Sequence, residues 1–164
     1  MADAEAEEGA STSSIMSSVR RHGDAESTDT EENIHPPYIV VGETTEKGRG
    51  VFAARDFLPG EVIEVCPVIV SAGARDEDLI DRTNFYNYYF AWGEDDRACA
   101  IALGYGSLYN HSYHPNADHR RDFAAGTITV TAYRHIRAGE EITINYTGPV
   151  DCRDPVWFDV AGEE

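Results

Sequence analysis

Between Tyr38 and Tyr146 the chain is written in short apolar runs, most of them stopped by a glycine turn. That punctuation limits it to a fold of small β-sheets. "YIVVGE" reads as a strand and "EKGRG" as the turn that follows. "GVFAARDF" passes through the turn "LPGE" into "EVIEVCPVIV", which alternates and then runs continuously apolar. "YNYYFAW" and "RACAIAL" read as a hairpin around the acidic turn "GEDD". "AAG" turns a second hairpin into "TITVTAYRHI", and "AGE" leads into the alternating "EITINY". The single helix signal, "DEDLIDRTNF", is short. Helices do not alternate regularly with strands, so a βαβ fold is excluded and a mainly β domain with little helix is predicted.

The pattern also repeats. "ARDFLPGEVIEV" (54–65) matches "YRHIRAGEEITI" (133–144), aligning Arg55 with Arg134, Phe57 with Ile136, Gly60 with Gly139, Glu61 with Glu140 and Ile63 with Ile142. Either two strand–turn–strand units pack on each other, or this is common turn grammar.

A chain of 164 residues supports one domain with a real core. Residues 1–36, rich in Ala, Glu, Ser, Thr and Asp, predict a disordered acidic tail, and residues 37–164 the folded part, opened by "HPPY". The acidic N-terminus lacks an apolar stretch, so no secretory signal is expected, and no run reaches membrane-spanning length. Cys66, Cys99 and Cys152 are too dispersed for a CxxC zinc pattern and predict reduced thiols inside a cell, with cytoplasm and nucleus undecided. The net charge of −17 repels phosphate backbones and disfavours direct nucleic-acid binding. It attracts basic partners, although solubility or adaptation to salt would be served equally. Whether the chain forms a homodimer is left open.

Three stretches carry chemistry. In "KGRGVFAA", Gly48 and Gly50 let backbone pass close to a ligand, or simply turn. There is no GxGxxG ahead of a helix and no Walker lysine, so dinucleotide and P-loop readings fail. "GSLYNHSYHPNADH" crowds His111, His114 and His119 together with Asn110 and Asn116. Pro115 opposes the helix that would align the first two histidines on zinc, and no metal site is predicted. The asparagines are better suited to bonding backbone groups in a buried segment. In "GEEITINY", Tyr146 ends an alternating strand, sharing a face with Ile142 and Ile144, where a core tyrosine with a satisfied hydroxyl is the ordinary outcome.

In this order, the glycine turn with "VFAARDFLPGE", then "NHSYHPNA", then "GEEITINY" resemble the SET-domain protein-lysine methyltransferases. "NHS-x-x-PN" and "GEE-[IL]-T-x-x-Y" are that family's most diagnostic segments, and "KGRG" resembles its first cofactor-binding turn. The likeness covers roughly residues 38–150 and looks closest to the compact viral and bacterial members. It implies a β-clip of several small sheets. In that fold the Asn110–Ser112 segment and the C-terminal strand thread past each other in a pseudoknot-like crossing, which explains the polar cluster.

The resemblance further implies S-adenosylmethionine as methyl donor. The turn Lys47, Gly48, Arg49 and Gly50 would contact its methionine part, and the Asn110 side chain and His111 backbone its amino group and adenine. Trp157 or Phe158 would cover the adenine face, or pack in the core. Tyr146 would stand beside the transferring methyl. Of the six aromatics in "NFYNYYFAW", Tyr88 would line the lysine channel while most of the others fill the core. His119 and Ile144 fall where the family places residues that tune the number of methyls. Neither is a tyrosine, which leaves more than one methylation state open.

The implied acceptor is a lysine in a basic protein or peptide, with histone tails a frequent target of the family. No membrane partner is implied. Two departures stand out: the cysteine-rich zinc flank of many relatives is absent, and Tyr113 replaces the usual cysteine after "NHS". The alternatives are a non-catalytic SET-like module that binds basic peptides, and a zinc enzyme using the three histidines.

Overall fold

The computed structural model describes residues 38–71 and 79–160. The acidic tail and the first three residues of the "DEDLIDRTNF" segment lie outside the described residues. Nine strands form two sheets among the described residues: β1 (Ile39–Glu43), β2 (Arg49–Ala53), β3 (Val62–Ser71), β4 (Tyr89–Trp92), β5 (Ala98–Ala102), β6 (Asn110–His111), β7 (Ala117–Asp122), β8 (Thr127–Ala132) and β9 (Glu141–Ile144). One sheet runs β1-β2-β9-β6 and the other β4-β5-β3-β8-β7. The mainly β class and both predicted hairpins are present: β4 pairs β5 across the acidic turn, and β7 pairs β8. The helical signal yields helix at Leu79 and Ile80 and then a 3-10 turn, Asn84–Asn87, capped by the Thr83 hydroxyl, which accepts from the Phe85 amide at 3.2 Å. Among the described residues no helix is long and apolar enough to cross a membrane.

The internal echo is a packing device. Phe57 and Ile136, both fully buried, exchange amide-to-carbonyl bonds of 2.8 and 3.0 Å. Around that bridge the contacts come in matched pairs. Gly139 N donates to Ala53 O (2.7 Å) and Gly60 N to Ala132 O (2.8 Å). Ala53 N donates to Glu140 O and Ala132 N to Glu61 O, each at 2.9 Å. Arg55 pairs with Glu61 at 3.3 Å and Arg134 with Glu140 at 2.8 Å. Gly60 and Gly139 sit at φ of 86° and 84°, the left-handed region that makes glycine the fitting residue at both turns. Two related units therefore clasp each other across an approximate twofold, and the core gathers on the clasp: Ile39, Val51, Ile142 and Ile144 join Phe57 and Ile136. A second cluster, Cys66, Trp92, Ala100 and Ile128, fills the five-stranded sheet.

The polar run explains itself at β6. This two-residue strand pairs parallel with β9, Asn110 opposite Thr143 and His111 opposite Ile144. The pairing continues through Ser112 N to Ile144 O at 3.0 Å. Asn116, 1% exposed, caps the arrangement: its Oδ1 accepts the Thr143 amide (2.8 Å) and its Nδ2 donates to Glu141 O (2.7 Å). Beyond β9 the chain bends back over this segment. Asn145 Nδ2 donates to Pro149 O and Cys152 O, and the Tyr113 hydroxyl donates to Asp154 O and accepts from Val156 N. β9 is paired by β2 at Glu141 and Ile142 and by β6 at Thr143 and Ile144, and Ile142, Thr143, Ile144 and Asn145 are all buried rather than alternating. Tyr146 lies just past the strand's end.

Asn116→Leu strands the Thr143 amide and the Glu141 carbonyl, so chemical denaturation should show a loss of about 2–4 kcal/mol. Phe57→Ala should cost about 3–5 kcal/mol in the same assay.

Candidate active site

Tyr146 is anchored from two sides. Its amide donates to Nδ1 of His111 at 3.1 Å, and its hydroxyl donates to the Tyr109 carbonyl at 2.8 Å. Tyr109 is held in turn by its own hydroxyl, which donates to the buried Glu64 carboxylate at 2.8 Å. Burial, then the Glu141 and Tyr88 charges, push the Tyr146 phenol above the ordinary tyrosine range. It therefore stays protonated at neutral pH and serves as a fixed dipole, its proton directed at Tyr109 and its oxygen still able to accept.

Two cavities meet at this residue. The first, about 350 Å3, is bordered by Tyr88, Phe90, Tyr109, His119 and Tyr146, with Asp96 and Arg121 beside them. The second, about 490 Å3, is bordered by the Lys47–Arg49 turn, Asn110, His111, Trp157 and Phe158. Tyr88, Tyr146 and Trp157 border both. The Trp157 ring stacks on Tyr146 at 6.1 Å and 20°, and its Nε1 donates to Asn87 at 3.3 Å.

The structure thus gathers Lys47, Gly48, Arg49, Asn110, His111, Trp157, Tyr88 and Tyr146 around the second cavity. Gly48 supplies the turn, at φ 71°. Gly50 is buried at the back: a Cβ there would lie 2.6 Å from Glu141 Oε1 and 2.8 Å from Asn110 Nδ2. That amide nitrogen donates to Glu141 at 2.8 Å and to Arg49 O at 3.1 Å, and Lys47 Nζ donates to His111 O at 3.0 Å. The turn and the crossing are therefore laced to each other through polar groups.

Two expectations change. Of the six aromatics in "NFYNYYFAW" only Trp92 is buried; Phe85 lies in the open and the others border the cavities or the surface, because the walls they face come from distant elements. Ile144 is wholly buried in the core and borders neither cavity, which leaves His119 alone of that pair at the first. His111, His114 and His119 do not converge, and among the described residues no three metal-ligating side chains do. Glu141, which holds Asn110, and Tyr109, whose carbonyl holds Tyr146, were not signalled. Glu141 looks like ordinary strand polarity, and a backbone carbonyl leaves no mark in sequence.

The SET-domain family model matches residues 48–147. The chain is 32% identical over 121 residues to a histone-lysine N-methyltransferase specific for H3 lysine 37 from Schizosaccharomyces pombe, covering 74% of this chain and 77% of that protein. It is 35% identical over 120 residues to an H3 lysine-36-specific enzyme of Eremothecium gossypii, covering 66% of this chain and 17% of that protein. A crystal structure of a Plasmodium falciparum protein assigned as a histone methyltransferase aligns at TM-score 0.52 and 30% identity, over 66% of this chain and 92% of the other. A Chaetomium thermophilum Polycomb Repressive Complex 2 structure, autoinhibited and bound to S-adenosylmethionine, shares the fold at TM-score 0.58 and 23% identity, over 66% of this chain and 15% of the other. The chain belongs to the SET-domain family and is one of its lysine N-methyltransferases. S-adenosylmethionine is the methyl donor of that class.

The second cavity fits this donor in size and in chemistry, with polar groups at the turn and aromatic rings opposite. Gly50→Ala should push the Asn110–Glu141 pair apart and cost about 1 kcal/mol of stability, read as a shifted denaturation midpoint.

Proposed function

We propose that this protein transfers a methyl group from S-adenosylmethionine to the side-chain amine of a lysine in a basic protein, a histone tail being the favoured class. The observation that carries the reading is the meeting of two cavities at Tyr146, one bordered by the Lys47–Arg49 turn, Asn110 and Trp157, the other by Tyr88, Phe90 and Tyr109. In this reading the second cavity takes the donor. Lys47 to Gly50 and Asn110 hold its polar end, the His111 backbone lies beside its amino group and adenine, and Trp157, with Phe158, covers its flat face. The first cavity admits the lysine, with Tyr88 and Phe90 lining its aliphatic stem.

S-adenosylmethionine, when bound, supplies a methyl group activated by a sulfonium. The chain's own residues do the rest. A free lysine, with pKa about 10.4, is neutral in only roughly one molecule in a thousand near pH 7. An aromatic channel disfavours the ammonium form, so the lysine gives up its proton to bulk water as it enters and presents a lone pair without a strong base in the site. The protonated Tyr146 phenol cannot remove that proton by ionising; its fixed oxygen orients the amine instead. Holding two reactants in line is worth about 7–11 kcal/mol at best, and this is the main contribution asked of the fold.

The net charge of −17 suits a basic acceptor and disfavours nucleic acid as a direct ligand, and the three free cysteines suit an intracellular setting in cytoplasm or nucleus. The decisive experiment incubates the protein with labelled S-adenosylmethionine and a panel of basic proteins, histones included, then maps modified lysines by mass spectrometry. Tyr146→Phe should keep donor binding in calorimetry while transfer falls by about 100-fold or more. Peptide binding without donor binding or transfer would instead identify a non-catalytic module.

A further inference from the structure

Glu64 puts a carboxylate where an alternating strand would put an apolar side chain. On β3, Ile63 and Glu64 are both buried and Val65 is exposed, so the alternation breaks at this pair. The cause is a bulge: the register of β3 against β8 shifts between Val62 and Glu64. Bulges re-aim side chains beside functional sites. This one turns Glu64 inward, to the buried side that Cys66 shares. Among the described residues no cationic side chain pairs with it there. A buried carboxylate without a cation costs stability, so its retention asks for a reason.

Its partners are two donors on the segment between β5 and β6. Oε1 accepts the Tyr105 amide at 2.9 Å, and Oε2 accepts the Tyr109 hydroxyl at 2.8 Å. These anchors bracket the 3-10 turn Gly106–Leu108. Burial, then the Glu64 charge, raise the Tyr109 phenol well above the ordinary tyrosine value, so it remains a donor. The segment fits closely against its bed. A Cβ on Gly104 would strike Glu64 Oε1, and one on Gly106 would lie 2.7 Å from Cys66 Sγ and 2.6 Å from Ala102 Cβ. Hydrogen bonds to a charged acceptor are also stiffer than neutral ones. Tyr109 is thus gripped at its ring end by Glu64, while its carbonyl accepts the Tyr146 hydroxyl at 2.8 Å.

We propose that Glu64 is a positioning residue for methyl transfer: by holding the Tyr109 hydroxyl it fixes the Tyr109 carbonyl at which the Tyr146 phenol is aimed. The proposal rests on reading Tyr146 as the group that orients the substrate amine. Released at its hydroxyl, Tyr109 no longer gives its carbonyl a single place, and the Tyr146 oxygen loses its fixed direction with it. Small misplacements of this kind are costly when a reaction depends on alignment. Glu64 borders neither cavity, so it acts only through Tyr109. Asn110, the next residue along, is held separately by Glu141 and by its pairing with β9. Donor binding is therefore expected to survive when the Glu64–Tyr109 bond is broken. No proton changes hands along this chain of bonds.

The test uses the full chain labelled with 13Cζ-tyrosine, without donor. The Tyr146 signal is assigned by its loss in Tyr146→Phe. Tyr109→Phe removes only the hydroxyl, and Glu64→Gln replaces the charged acceptor with a neutral amide. Each should move or broaden the Tyr146 signal. In kinetics with a lysine peptide, Tyr109→Phe should lower kcat about tenfold while donor affinity in calorimetry stays within about twofold. Glu64→Gln should lose less, and the double variant should fall no further than Tyr109→Phe alone, because the two residues act through one bond. Circular dichroism sets a temperature at which every variant is folded. A purely structural role would lower the melting temperature yet leave the Tyr146 signal and kcat unchanged at that temperature, and this result overturns the proposal. If Glu64→Gln does not fold, Tyr109→Phe alone decides between these outcomes. Full transfer by Tyr146→Phe would reject the reading of Tyr146, and the proposal with it. Lost transfer in Tyr146→Phe beside an unmoved signal and wild-type kcat in Tyr109→Phe would reject the role of Glu64 alone.

Discussion

The structure depends on one short parallel pairing, β6 against β9. Two residues, Asn110 and His111, are inserted beside a strand already paired on its other edge by β2. Such a pairing has too few backbone bonds to hold on its own. It persists because side chains complete it: Asn116 bonds the Thr143 amide and the Glu141 carbonyl, and Asn145 ties down the chain that folds back over the crossing. An unsatisfied polar group here would sit in a dry interior, where its desolvation cost is not recovered. The same crossing sets Asn110 and His111 at the edge of one cavity and brings Tyr146 to the boundary of both. Fold and site are thus consequences of a single arrangement.

The clasp between the two related units does a different job. It brings β2 and β9 together from widely separated parts of the chain and turns both into the core through Phe57 and Ile136. Its ion pairs are partly exposed and contribute modestly, while its buried aromatic and aliphatic contacts carry most of the stabilisation.

Much of this was legible in the sequence. Glycine turns mark strand ends because their backbone requirement is local, so the hairpins and the repeated unit could be read directly. "NHSYHPNA" stood out because a buried crossing needs amides. The aromatic run misled for an equally physical reason: aromatic rings serve a core and a cavity wall alike, and only the distant elements facing Tyr88 and Phe90 decide which. Ile144 and His119 show the same limit. One is wholly buried in the core cluster and the other borders a cavity, a difference set by which distant elements pack against each strand and not by neighbouring residues. The anchor on Tyr146 escaped notice because it is the carbonyl of Tyr109, a group every residue carries.

The clasp has a consequence for how the protein is made. A nascent chain that has emerged only as far as β8 contains every residue of the turn and of "NHS", yet lacks β9, the strand that receives them. Until β9 emerges, the β1–β2 hairpin and the five-stranded sheet have all their strands, while the sheet that joins β2 to β6 does not.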